Sequence, residues 1–489
     1  AEQPLTAELG GYQSSERNLA MEALGYKVFN DSVHGHITLH PLLVKVVDTP
    51  EFQRLRNIKQ LGFAYYVFPG ASHCRYEHSL GTCYLAGQMV EKLLSREQQQ
   101  RTSEEKKKIT LYVQLAALCH DLGHGPFSHT WEVVTKMWNK SESWKHENAS
   151  IEMLDHMLKN KNLLEEFKKY NLEEKEIKII KQLIMGGPDI MKNEKPLLNS
   201  NNNFLYEIVS NADTGVDVDK WDYFLRDGLH LNLRITFDYH RLLEFCRVMY
   251  TTDKMTHIAF RDKEMLNLYD MYRVRSTLHY TAYRHRVVLN IELMCVDAFK
   301  AAGDAGYKIN NSDIELRKAH QNAASLSQLT DHVFYDILYS SDENLAEARK
   351  LIQRVLKRDL YKLVETVNIP VDETTSRKQK QNEIDSKKSR LLEELKESYG
   401  EEIKFGVVDF YLNLDSTSDP VRNVKFYKKT GPTEPILSQG IEEIQKLLDP
   451  LPFQLVKDVN AQLLVFCKTP IDEKEKELEK AREIIRNFK

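Results

Sequence analysis

Apolar residues recur at helical spacing through most of the chain's first 365 positions and alternate only in short stretches. The first alternation, VFNDSVHGHITLHP at 28–41, predicts a short hairpin. DTPEFQRLRNIKQLG then predicts a helix with Asp48 or Thr49 as cap, Pro50 in its first turn and Gly62 at its end. Helical spacing returns over 77–94 and again over ITLYVQLAALCHDLG, whose nearly all-round apolar character predicts a central buried helix. Further helices are expected at 148–158, 204–211, 218–227 and 266–299, with MTHIAFRDKE as a strand between the last two. From 368 to 400 Lys, Glu, Gln and Ser dominate, which predicts a solvated linker or a mobile helix. Beyond it IKFGVVDFYLNL, VRNVKFYKK and AQLLVFCK read as strands and the last twenty residues as an exposed helix. The fold class expected is mainly α, a helical core with short β-hairpins followed by a small α+β lobe. Its expected boundaries are a tail at 1–18, a core at 19–365, a charged linker at 366–400 and the lobe at 401–489.

Composition narrows the function without naming it. Hydrophobic residues at 42% and charged residues at 29% are ordinary for a globular protein that can bury a large core. A net charge of -4 excludes a broadly basic nucleic-acid binder and leaves only local patches for such a partner. Cys74, Cys83, Cys119, Cys246, Cys295 and Cys467 form no CxxC pair, and no secretory signal is visible, so reduced thiols in an intracellular protein are expected. No apolar run approaches the roughly 18 residues of a membrane span. The chain starts at Ala1 rather than Met, as a trimmed sequence would.

Chemistry concentrates in ALCHDLGHGPFSH, 117–129, where three histidines and an aspartate follow the buried helix directly. Gly123, Gly125 and Pro126 forbid a long regular helix there, so packing alone does not explain the polar residues. His120 and Asp121 could both face a metal if the helix end splays them toward one point. Imidazole plus carboxylate suits Fe, Mn, Zn or Mg. Two further ligands are available in His78 of RYEHSLG and Asp219 of GVDVDKWDYFLRD. Asp219, Tyr223 and Arg226–Asp227 share one helix face by spacing. Plainer readings stand beside these: a His120/His124 zinc pair, a helix cap or surface carboxylate at Asp219, a solvated Lys220, core packing for Tyr283, and a simple cap at Asp48. His34, His36, His40 and His73 read as structural or surface histidines.

The order H…HD…D is the signature of HD-domain metal phosphohydrolases. Together HSLG, CHDLGHGPFSH, FLYEIVSN, DVDKWDYF, RDKEMLNLYDM and VKFYKKT resemble the vertebrate SAM-and-HD-domain deoxynucleoside triphosphate triphosphohydrolases over nearly the whole chain. No SAM domain is present in this sequence. The resemblance implies an HD-domain catalytic core that splits a dNTP into deoxynucleoside and inorganic triphosphate. His78, His120, Asp121 and Asp219 would then hold a divalent transition metal, Fe, Zn or Mn, which activates the attacking water. His129 would protonate the leaving 5′-oxygen, oriented by Glu132 where the family usually has aspartate, and His124 and His146 would face the phosphates. Arg75, Lys220 and Arg275 would hold the triphosphate, with Mg on the nucleotide. Gln60, Leu61, Tyr223 and Asp227 would contact the nucleoside, and Tyr283 would exclude a 2′-hydroxyl.

The resemblance further implies activation by GTP and dNTPs that bridge subunits of a homotetramer. Lys27, Val28, Asp48, Gln53 and Arg56 would form a guanine site. Asn30, Asp238, Arg241, Arg261, Lys263 and His285 would form a neighbouring deoxynucleotide site, with Arg358, Lys362 and Lys429 reaching phosphates from another subunit. Tyr280 and Thr281 stand where the family commonly has two basic residues, and Arg284 where a glutamine is usual. A nuclear location and a role in antiviral defence come with the same resemblance. Two alternatives are weighed against it: an HD-type nucleotidase or phosphodiesterase, and a nucleotide-gated scaffold that binds single-stranded nucleic acid.

Overall fold

The computed structural model describes residues 25–97, 99–139, 144–187, 194–370, 377–410, 420–429, 436–437, 460–470 and 475–488. The expected tail at 1–18 lies outside them. The hairpin forms as its alternation predicts: β1 (Lys27–Asp31) pairs antiparallel with β2 (Gly35–Leu39), and only Ile37 and Leu39 of the β2 face reach the core. The helix expected from Asp48 to Gly62 does not run its length. Thr49 caps a short Pro50–Gln53 helix, a 3-10 turn follows over Arg54–Asn57, and Ile58 is extended with φ -127 and ψ 110.

Two long helices build the centre. α1 (Arg75–Arg96) buries Leu80, Cys83, Met89, Val90 and Leu93, while α2 (Ser103–Cys119) starts on a Thr102–Glu105 capping box and buries Leu111 to Cys119 with the exception of Gln114. The all-round apolar pattern of α2 is thus met by a helix packed on most sides. α3 (His129–Trp138) and α4 (His146–Leu158) follow the HD loop, and α5 (Val218–Leu231) is opened by Asp217, whose side chain accepts from the Lys220 amide.

The helical run expected over 266–299 is two helices. α6 (Met265–Leu278) passes into a π-helical turn over His279–Tyr283, and α7 (Arg286–Asp304) starts afresh with His285 as its cap. No glycine or proline marks this break, so periodicity carries straight across it.

The C-terminal third departs from the expected boundaries. β3 (Cys246–Tyr250) and β4 (Thr256–Arg261) form a sheet that β7 (Lys425–Tyr427) joins in parallel, with β8 (Ile436–Leu437) outside it. A second sheet has the order β5 (Lys362–Pro370), β9 (Asn460–Cys467), β6 (Phe405–Phe410). The boundary expected at 365 therefore falls inside a strand, and part of the expected lobe belongs to the main body. β9 alternates as a shared wall: Leu464 and Phe466 face the main core, Leu463, Val465 and Cys467 a second one. The charged stretch after 376 folds as α8 (Arg377–Tyr399), which buries Ile384, Leu391 and Leu395 in that second core beside Leu478 and Ile485 of α9 (Glu475–Asn487). A few apolar residues at helical spacing suffice to dock a helix that is otherwise Lys- and Glu-rich. None of the described helices is long and apolar enough to cross a membrane.

Candidate metal and phosphoryl-transfer site

α2 ends at Cys119, and its C-cap His120 turns the chain into the glycine-rich loop. A Cβ on Gly123 would lie 2.2 Å from the His146 carbonyl oxygen, and one on Gly125 2.1 Å from Trp131 Cδ1, so both positions demand glycine by close approach. Phe127 and Ser128 adopt left-handed φ values of 54° and 59°, a costly conformation for side chains of that kind. Two buried residues hold it. Asp331 accepts from the amides of Phe127 at 2.6 Å and Lys59 at 2.8 Å, and the Arg54 guanidinium donates to the carbonyls of Leu122, His124 and Leu329. Sequence reading missed both, because neither carries a motif and their partners are backbone atoms far along the chain.

The loop aims His120 and Asp121 at His78 of α1 and Asp219 of α5. His78 Nε2 lies 3.0 Å from Asp219 Oδ1 and 3.5 Å from Asp121 Oδ2, and His120 Nε2 lies 3.3 Å from Asp219 Oδ1 and 3.4 Å from Asp121 Oδ1. The structure thus brings His78, His120 and Asp121 within 4.8 Å of one another, with Asp219 against both histidines but outside that group. Their tautomers are fixed from behind. His120 Nδ1 donates to the Ala117 carbonyl at 2.7 Å and His78 Nδ1 to Asp222 Oδ2 at 2.7 Å, which leaves both Nε2 lone pairs facing the carboxylates.

Imidazole nitrogens that face carboxylates call for a proton or a metal ion between them, and the buried His120 Nε2 has no hydrogen-bond partner. Bonds of about 2.0–2.2 Å would set neighbouring ligand atoms roughly 3.0–3.5 Å apart, the spacing of each histidine from each carboxylate, so His78, His120 and Asp121 fit a divalent ion that Asp219 would join by a small shift. Without an ion the site takes up a proton instead, which a bound metal would displace. Burial opposes charge on His78, yet hydrogen bonds to Asp219 and Asp222 raise its pKa to about 10. Burial likewise opposes ionisation of Asp121, but the Arg75 guanidinium, 2.6 Å away, holds its carboxyl well below the usual range.

A second group stands beside the first. His124, His129, Glu132 and His146 place their ligand atoms within 4.8 Å of one another. Glu132 Oε1 accepts from His146 Nδ1 at 2.6 Å and from His129 Nδ1 at 3.2 Å, and the His124 and His146 rings stack with centroids 3.8 Å apart. Burial favours the neutral acid of Glu132, but these two imidazoles outweigh it and hold the carboxyl well below its ordinary range. The glutamate, longer than the aspartate usual in the family, reaches both rings with one oxygen. His129 is the open member, its side chain 71% exposed.

The remaining expected substrate residues line the same region with some differences. Arg75 is buried against Asp121 and Ser128 rather than held open for a phosphate. Lys220 Nζ lies 2.8 Å from Asp217. Gln60 is buried with Oε1 unpartnered, and Leu61 precedes a short 3-10 helix, Gly62–Tyr66. Asp227 accepts the Tyr283 hydroxyl at 2.5 Å and His73 Nε2 at 2.6 Å, while the charge of Arg275 acts on both Tyr223 and Tyr283. The π-helical turn is what carries Tyr283 to Asp227, a local irregularity of the kind found at functional sites.

The residues expected at activator sites form two groups. Lys27 Nζ pairs with Asp48 at 3.4 Å, and Arg56 bonds Gln53 at 2.8 Å and lies 3.5 Å over the Tyr76 ring, with Val28 exposed nearby on β1. Asp238 caps the Tyr239–Glu244 helix, in which Arg241 pairs with Glu264, and Lys263 lies 3.7 Å over Phe245. Asn30, Arg261, His285, Arg358, Lys362 and Lys429 sit on other elements: β1, the end of β4, the α7 cap, the turn after Ala346–Leu356, the start of β5 and the segment after β7.

A model of the HD domain matches residues 75–214, from the start of α1 to just before α5. The fold and the four converging donors therefore define an HD-domain protein, a class that implies a divalent metal. The chain is 40% identical over 461 residues to the bovine (Bos taurus) deoxynucleoside triphosphate triphosphohydrolase SAMHD1, covering 90% of this chain and 75% of that protein. The chicken (Gallus gallus) protein of the same name is 42% identical, with 86% and 70% covered, and the human (Homo sapiens) one 39% identical, with 90% and 70% covered. The chain belongs to the SAMHD1 family of deoxynucleoside triphosphate triphosphohydrolases.

Proposed function

We propose that this chain hydrolyses deoxynucleoside triphosphates to deoxynucleoside and inorganic triphosphate at the site just described. The observation that carries the reading is the meeting of two imidazole lone pairs and two carboxylates beside an exposed, carboxylate-oriented histidine. His78, His120, Asp121 and Asp219 would hold the divalent ion, which supplies Lewis acidity and an activated water.

The chain's own groups do the rest. Glu132 holds His129 by Nδ1, so Nε2 is the atom that offers a proton to the leaving 5′-oxygen. The same carboxylate fixes His146, which with the stacked His124 forms the phosphate-facing wall. Lys220 and Arg275 supply positive charge toward a triphosphate, while Arg75 keeps the Asp121 carboxylate ionised and in place. Gln60, with an unpartnered buried oxygen, and Asp227 recognise the sugar hydroxyl, and Tyr283 closes the sugar edge against a 2′-hydroxyl.

Activation belongs to the same reading: GTP at Lys27, Asp48, Gln53 and Arg56, and a dNTP beside Asn30, Arg241, Arg261 and Lys263, assemble a homotetramer. The paired Lys27–Asp48 and Arg56–Gln53 side chains support it, since carboxylate and guanidinium together match the donor and acceptor edges of guanine. The test is product chromatography after incubation with dATP, GTP and a divalent metal, beside gel filtration. Deoxyadenosine, triphosphate and a GTP-dependent shift to tetramer are expected. Deoxyadenosine mono- or diphosphate as product would contradict the reaction, and activity without any GTP effect would contradict the activation.

A further inference from the structure

His34 has no part in the chemistry above, yet its side chain is fully buried against Asp222, the carboxylate behind His78. Asp222 lies one turn beyond Asp219 on α5 and faces α1 instead of the cleft. Its Oδ2 accepts from His78 Nδ1 at 2.7 Å and from Arg226 Nε at 2.9 Å, and its Oδ1 from His34 Nε2 at 2.7 Å and Arg226 Nη2 at 3.0 Å. Arg226 in turn makes a two-pronged pair with Asp31, at 2.9 and 3.2 Å. Asp31 closes the turn of the hairpin by accepting from the amides of Val33 and His34, both at 2.9 Å. Gly81 makes room for the whole arrangement, because a Cβ there would stand 1.9 Å from Asp222 Oδ1 and 2.5 Å from Arg226 Nη2. The glycine of HSLG thus leaves space for the carboxylate behind His78.

We propose that the β1–β2 hairpin is part of the metal centre: Asp222 is a positioning residue for His78, and His34 and Arg226, locked to Asp31, hold Asp222 in place. A buried carboxylate that accepts from a ligating imidazole fixes the ring's tautomer and direction. Here that carboxylate uses both oxygens and is oriented by a residue of the hairpin turn, so the turn and the ion are energetically linked. Linkage is reciprocal, so metal bound at His78 also stabilises the Asp31–His34 turn. The inference rests on the reading of His78, His120, Asp121 and Asp219 as metal ligands.

The test is Mn2+ titration of the full chain after chelator stripping, in wild type, His34→Ala, His34→Gln and the exposed hairpin control His36→Ala. His34→Ala is expected to bind Mn2+ about 10-fold more weakly. His34→Gln, whose side-chain amide can still donate to Asp222, is expected to recover part of the loss, and His36→Ala to match wild type. Amide exchange on the wild type provides a reading that needs no variant: the Val33 and His34 amides are expected to exchange more slowly with Mn2+ bound. Equal affinity in wild type and His34→Ala, a loss that His34→Gln does not lessen, or hairpin exchange indifferent to Mn2+ would overturn the coupling. A wild-type chain that takes up no Mn2+ would instead overturn the metal reading beneath it.

Discussion

Glu292 on α7 is a half-buried carboxyl whose hydrogen bond from Thr130, next to His129, is long at 3.4 Å. Burial pushes its pKa from the usual 4.5 up to about 7, against the partial help of Arg284. The folded state therefore keeps a proton that the unfolded chain releases, so stability falls as pH rises from about 4.5 to about 7 and levels off above that. At 1.36 kcal/mol per unit, and with the group only half-buried, the loss is about 1–3 kcal/mol. Glu292→Gln removes the titration, so urea unfolding should show the variant gaining on wild type by that amount between pH 4.5 and 8. A pH-independent difference would contradict this. Single residues also show what a sequence can and cannot say. The clustering of His78, His120, Asp121 and Asp219 was legible because their residue types and order form a recognisable motif. Arg54, Asp331, Asp222 and His34 were not, because they act by buried contacts across long sequence separations that no local motif marks.

Among elements, the hairpin, the two central helices and α5 follow from alternation, periodicity and caps. The expected 48–62 helix failed because Arg54 turns inward to bond the HD loop, and the 266–299 run failed because the π-helical turn has no residue that marks it. Of the two readings of 368–400 the helix forms, but docked in a core: a charge-rich helix needs only Ile384, Leu391 and Leu395 to dock, and composition hides three residues. The C-terminal strands are integral to the main body, since Phe426 of β7 and Phe466 of β9 lie in the principal core. Deleting residues 401–489 should therefore abolish cooperative thermal unfolding of what remains, followed by circular dichroism. A sharp transition near the full-length midpoint would show the helical core to be self-sufficient.

At the scale of the molecule, helices far apart in sequence serve as a frame for two adjoining polar clusters, one fit for a metal and one for proton transfer. α1, α2 and α5 each bring ligands, the HD loop is clamped by Arg54 and Asp331, and α3 and α4 add the histidines around Glu132. Both clusters could hold a cation by donor type alone, but the donors of the first are backed by Ala117 and Asp222 while the second is already bridged by Glu132, which favours the first for the metal. The most direct measurement is anomalous diffraction from crystals grown with Mn2+. A peak is expected about 2.0–2.2 Å from His78 Nε2, His120 Nε2 and carboxylate oxygens of Asp121 and Asp219. A peak seated instead among His124, His129, Glu132 and His146, with the first cluster empty, would contradict it.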